Sequence, residues 1–185
     1  MNVALRRPMT LDEFLAWERA QELRYEFDGV QPVAMTGGTV AHSVIGSNVF
    51  LALDARLRAP CRAFRGDLKV VVADQVRYPD AVVTCSPVAD DADVVPEPVA
   101  VFEVLSASTA VVDRTVKAAE YQATPSIRHY AMLEQTRAEA MVLSRAADGG
   151  WTEERAVGLG AALRLAALGL ELPMAELYRG LRLGG

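Results

Sequence analysis

The sequence predicts an α/β or α+β domain built on a mixed sheet, and three observations lead there. Hydrophobic spacing alternates along the chain in the order helix, strands, helix, strands. Two short apolar runs, 81–85 and 99–105, are nearly uninterrupted, which marks strands covered on both faces. The chain has 185 residues, 51% of them hydrophobic, so one domain is expected. A domain of that size buries roughly 70% of the surface its unfolded chain exposes.

The elements follow in order. Residues 1–8 read as a loose terminus. Thr10 with Glu13 three residues on forms a capping box, and Leu11, Phe14, Leu15 and Trp17 give a short amphipathic helix ending near Glu22. A strand over 23–28 enters an Asp28-Gly29 turn and returns over 30–35 as a hairpin. Thr36-Gly37-Gly38-Thr39 is a loop. From His42 to Leu57, Val44, Ile45, Val49, Leu51 and Leu53 make a largely buried helix that Pro60 stops. Cys61 to Ala73 reads as one long strand bent at Gly66, followed by a tight connection over 74–77. The strand Ala81–Cys85 leads into an exposed loop with Pro87, Pro96 and Pro98 and three aspartates at 90, 91 and 93. The strand Val99–Leu105 follows, then the capping residues 106–109 and a helix over 111–123. Strands at 127–134 and 139–145 make a hairpin, and 151–157 adds a shorter strand. The leucine-spaced tail over 163–183 predicts a further strand and a last short helix.

Composition limits the function classes. No charge-free apolar run approaches the ~20 residues that span a bilayer, and the N-terminus lacks the pattern of a secretory signal. A cytoplasmic protein is therefore expected, with Cys61 and Cys85 as reduced thiols. No Cys/His cluster has zinc spacing. The formal charge of −5 disfavours nucleic-acid binding by bulk charge but leaves room for a local basic groove.

Two carboxylates stand where a carboxylate is costly. Asp80 is at the mouth of one buried strand and Glu103 is inside the other, with twenty-two residues between them. An ionised Glu in such a strand loses several kcal/mol or more of hydration unless a partner compensates. If the strands pair, both side chains converge at one sheet edge, and two carboxylates with water suit Mg²⁺. Alternatively, Asp80 caps a turn and Glu103 pairs with a basic residue. Asp113, Lys117 and Tyr121 are spaced by four and share a helix stripe that can cover the site, or else Asp113 and Lys117 form an exposed pair. Lys69 is the rival lysine, with Asp67 as its alternative partner. Arg56, Arg58, Arg62 and Arg65 can track a phosphate backbone or serve as solvated charge.

Pro79-Asp80 followed by Glu103-Val104-Leu105 resembles the PD-(D/E)XK nuclease signature. More specifically, the chain is similar to the Uma-type restriction endonucleases, long catalogued as a domain of unknown function. The matching segments are 9–14, 25–29, Gly37-Gly38 with Ala41-His42, 78–83, and 103–109 leading to Asp113, Lys117 and Tyr121. The resemblance implies a restriction-endonuclease-like core, a central mixed β-sheet flanked by helices, with an added N-terminal helix-hairpin and C-terminal strands. It implies a DNA endonuclease using Mg²⁺, with Mn²⁺ able to substitute, and a homodimer if both strands are cut. Asp80 and Glu103 would be metal ligands, with the Val104 carbonyl as a further one. Glu26 matches an early acidic residue of the superfamily, and His42 would contact phosphate or position water. The superfamily lysine is Leu105 here, which points to Lys117 as its replacement. Two alternatives remain: a catalytically silent DNA-binding or protein-interaction module, and a hydrolase of small phosphate esters.

Overall fold

A computed structural model describes residues 8–35 and 37–183. The expected loose terminus lies mostly outside them. Helix α1 (Leu11–Glu18) starts as its sequence demands, with Thr10 Oγ1 accepting from the Glu13 amide and the Glu13 carboxylate from the Thr10 amide. It ends earlier than expected. Strands β1 (Tyr25–Phe27) and β2 (Pro32–Ala34) form the hairpin. Asp28 Oδ1 accepts the amides of Val30 and Gln31 across the turn, and Gly29 takes the φ of 89° that the turn needs. Helix α2 (Val40–Asp54) buries Ile45, Val49, Ala52 and Leu53.

The expected single strand from Cys61 to Ala73 is two strands in two sheets. Strand β3 (Arg62–Arg65) pairs with β6 (Ala81–Thr84), whereas β4 (Val70–Val72) pairs with β5 (Gln75–Arg77). The chain breaks at Gly66-Asp67, where the Asp67 amide turns back onto the Arg65 carbonyl. The expected tight connection over 74–77 is therefore mostly strand. The loop after β6 is not wholly exposed: Val95 is buried, and the segment bonds through the Asp93 carbonyl and Val95 amide to the Lys69 backbone.

Strand β7 (Pro98–Leu105) lies antiparallel to β6 and parallel to β8 (His129–Glu134). The crossover between β7 and β8 is one helical rod: α3 (Ala110–Val112), a π-helical turn (Asp113–Lys117) and α4 (Ala118–Ala123). Strands β9 (Glu139–Arg145) and β10 (Trp151–Val157) extend the large sheet, whose order is β10-β9-β8-β7-β6-β3. The small sheet has the order β2-β1-β5-β4. The tail differs from expectation by one strand: β11 (Ala162–Leu165) and β12 (Leu170–Pro173) form a ribbon before α5 (Met174–Leu177).

Strand alternation divides the core. Ala81, Val83, Phe102 and Val104 face α2 and the C-terminal ribbon. Val82, Val101 and Leu105 face the crossover rod with Tyr121, Tyr130 and Met132. Phe14, Phe27, Val76 and Tyr78 close the small sheet under α1. Fully burying each such side chain is worth about 1.5–3 kcal/mol. Among the described residues no helix is long and apolar enough to cross a membrane.

The cysteines require a correction. Cys61 and Cys85 form a disulfide rather than two free thiols. Arg62 pairs with Thr84, so the next residues outward stand opposite each other, with Cα atoms 3.8 Å apart.

Candidate active site

The register of β6 and β7 brings the two acids together. Ala81 lies opposite Phe102, so Asp80 lies opposite Glu103 at the same edge of the ladder. Asp80 Oδ2 accepts the Val104 amide at 2.7 Å, and Asp80 Oδ1 meets His42 Nε2 at 2.7 Å. His42 sits in the first turn of α2, its own amide donating to Thr39 Oγ1. A side chain at Gly38 would meet the imidazole at 3.1 Å and press it by a few tenths of an ångström, so glycine lets the preceding loop pass close without displacing it.

Lys117 comes from the π turn of the crossover. Its Nζ is 3.0 Å from Glu103 Oε1, 3.1 Å from Glu26 Oε1 and 3.2 Å from Asp113 Oδ1. Tyr121 donates its hydroxyl to the same Glu103 oxygen at 3.1 Å. Among the described residues nothing donates to Glu103 Oε2. The Tyr130 hydroxyl donates to the Asp113 carbonyl and fixes the start of the π turn. Polarity on this rod is inverted relative to an ordinary surface helix. Asp113 and Lys117 are buried, while Val111 is 75% and Val116 48% exposed. The helix presents charge inward because a ring of carboxylates waits there.

Electrostatics follow from that ring. Glu26, Asp80, Glu103 and Asp113 line one cavity of about 170 Å³ with Lys117 and His42. Burial pushes the Glu103 carboxyl up to about 8; Lys117 opposes this, and the neighbouring acids add to it. Burial works against the Lys117 charge, but Glu103, Glu26 and Asp113 outweigh it and hold the ammonium above its ordinary range. The hydrogen bond to Asp80 raises His42. His42 Nδ1 is buried without a hydrogen-bond partner among the described residues.

Most of the expected site residues meet here: Asp80, Glu103, Lys117, Glu26 and His42 share the cavity, and Val104 lines it. Lys69 does not. It is buried against Glu18 at 2.8 Å and Asp93 at 3.1 Å, with the Tyr78 hydroxyl on Glu18. Its expected partner Asp67 binds Arg24 instead. Arg77, unforeseen in the sequence, clamps Glu120 through two hydrogen bonds and reaches Glu26 at 3.2 Å, which orients the outer carboxylate. Its place immediately before Tyr78-Pro79-Asp80 was the available signal.

Whether these residues suit a divalent ion can be tested on the donors. Among the described residues no three acidic, His or Cys side chains stand ready around a common metal position. Mg²⁺, however, takes one or two carboxylates and keeps several waters. Two facing carboxylates, one with a free oxygen, in a cavity lined by four acids and one lysine, satisfy that requirement.

The Uma2 family, described as "Putative restriction endonuclease", matches residues 11–175. An uncharacterised protein of Synechocystis sp. (strain ATCC 27184 / PCC 6803 / Kazusa) is 31% identical over 180 residues, covering 92% of this chain and 91% of that protein. The fold is also similar to the crystal structure of "a putative nuclease belonging to DUF820" from Anabaena variabilis ATCC 29413. That likeness has a TM-score of 0.75 at 18% identity and covers 92% of this chain and 98% of the other.

Proposed function

The chain belongs to the Uma2 family, and from that premise we propose that it is a metal-dependent DNA endonuclease. The observation that carries this reading is the facing of Asp80 and Glu103 across β6 and β7 beside a buried ammonium. Asp80, Glu103 and the Val104 carbonyl would hold Mg²⁺, or Mn²⁺ in its place. Such an ion lowers the pKa of a bound water and neutralises charge on a phosphoryl group.

The chain's own residues do the rest. His42 and the Val104 amide fix both Asp80 oxygens, so the carboxylate has one orientation. Tyr121 fixes one Glu103 oxygen and leaves the other open to the cavity. Lys117 positions the attacking water or a phosphate oxygen, kept cationic by Glu26 and Asp113. The water oxygen bonds to phosphorus in line as the P–O bond to the leaving sugar oxygen breaks; the water's proton passes to solvent, and the leaving oxygen takes one up from solvent.

The test is plasmid cleavage with Mg²⁺ or Mn²⁺. Asp80→Asn and Glu103→Gln should each abolish it while the protein stays folded. Parent-like cleavage by either variant defeats the assignment. One observation favours the silent-module reading: the Lys117 ammonium already lies within 3.2 Å of three carboxylates and donates to Glu103. That reading requires no Mn²⁺-dependent thermal shift that Glu103→Ala removes.

A further inference from the structure

We propose that a DNA strand leaves this site along a groove between α2 and β3, its phosphates held by Arg65, Arg62 and Arg58. The inference rests on the nuclease reading and adds a path and a direction to it.

Larger cavities adjoin the catalytic one in a row. A cavity of about 370 Å³ shares Gly38, His42 and Asp80 with it, so Asp80 and His42 form a partition open on both sides. Glycine and serine floor this second cavity at Ser43, Gly46 and Gly66, which leaves room for a sugar-phosphate chain against the backbone. A third, of about 400 Å³, shares Arg65 and Asp67 with the second. A fourth, of about 470 Å³, shares Leu57 and Cys61 with the third and reaches Arg128. The row follows α2, whose length from His42 to Asp54 is about 18 Å at 1.5 Å per residue. That is the rise of about five base pairs along a duplex axis.

Charge along the row is opposite to that of the whole chain. Arg56 is tied to Glu176, and Asp67 is tied to Arg24. Arg65 donates only to Ser47, Arg62 lies over the Phe64 ring, and Arg58 meets only backbone carbonyls. Among the described residues these three and Arg128 have no ion-pair partner, and Asp54 is the single unpaired carboxylate beside them. Four guanidinium groups without an ion-pair partner among the described residues, in a row on a chain of charge −5, form a local track for phosphates.

The measurement is binding of a fluorescein-labelled DNA duplex of mixed sequence, by anisotropy in Ca²⁺, between about 50 and 200 mM salt. The triple variant Arg58→Gln, Arg62→Gln, Arg65→Gln changes only exposed residues. Its Kd should rise about tenfold or more, and the log–log salt slope should become shallower by about 3. Arg155→Gln with Arg164→Gln, which removes two exposed arginines elsewhere, should bind like the parent. Equal affinity and slope in parent and triple variant overturn the groove, as does a parent that does not bind the duplex. Plasmid cleavage separates the two readings. Arginine-dependent binding without cleavage removes the nuclease and leaves the groove. Cleavage that survives in the triple variant with unchanged KM removes the groove and leaves the nuclease.

Discussion

Replacing Lys117 by Met tests the electrostatic core of the site. The substitution keeps the apolar stem and deletes an ammonium that is 7% exposed and lies within 3.2 Å of three carboxylates. Removing one partner of a buried ion pair costs about 3–5 kcal/mol, because the remaining charge is left uncompensated. For a chain of this length that is a fall in Tm of about 6–20 °C. The acids can relieve the strain by taking up protons, and Glu103, already pushed up to about 8, is poised to do so. A carboxyl raised further in the folded variant binds protons that the unfolded chain releases, so the variant recovers stability as pH falls. Above about pH 8, where the parent's Glu103 is ionised and the variant's still holds its proton, the gap should shrink by up to about 1.4 kcal/mol per pH unit as pH falls. Denaturant unfolding at pH 10 and pH 8 measures it. A gap below about 1 kcal/mol at pH 10, or one unchanged at pH 8, would refute the reasoning. Cleavage should be lost at both pH values.

Lys69→Met uncovers Glu18 and Asp93 and should cost a similar 3–5 kcal/mol or so in unfolding experiments. Cleavage per folded molecule should be unchanged, because Lys69 lies outside the cavity; a loss on the scale of Lys117→Met would restore it as the catalytic lysine. His129 is buried, accepts the Ala167 amide at Nε2 and meets Ser144 through Nδ1, and burial lowers its pKa to about 4. Below its ordinary value the unfolded chain binds a proton that the folded chain refuses. Relative to a variant without this imidazole, the parent should therefore lose about 3 kcal/mol as pH falls from 6.5 to about 4. Chemical denaturation of His129→Gln should show that loss largely absent, and an equal loss would contradict it.

The sequence made the strands that carry Asp80 and Glu103 readable because their apolar runs are unbroken, and a carboxylate inside such a run needs a partner. Lys117 was readable from its spacing of four with Asp113 and Tyr121, although the π turn that aims it was not. Nothing in the valines and the single aspartate of 111–117 distinguishes a wide turn from an ordinary one; the Tyr130 hydroxyl on the Asp113 carbonyl does. The break between β3 and β4 was hidden for a similar reason. Alternation continues through Gly66-Asp67, and only the partner strands, Ala81–Thr84 for one and Gln75–Arg77 for the other, decide that the chain changes sheets. Arg77 was obscured because its strand was read as a connection. The disulfide was missed because it depends on a register that two cysteines cannot announce.

The chain passes between its small and large sheets three times, through α2 and again at Gly66–Lys69 and Tyr78–Asp80. Those passages act as covalent staples. The spacing of Asp80 from Glu103 is set within the large sheet by its ladder, and no slippage of the N-terminal hairpin can alter it. Glu26 is borne by the small sheet alone. Its reach to Lys117 is thus the adjustable dimension of the pocket, a gauge of how tightly the hairpin is seated.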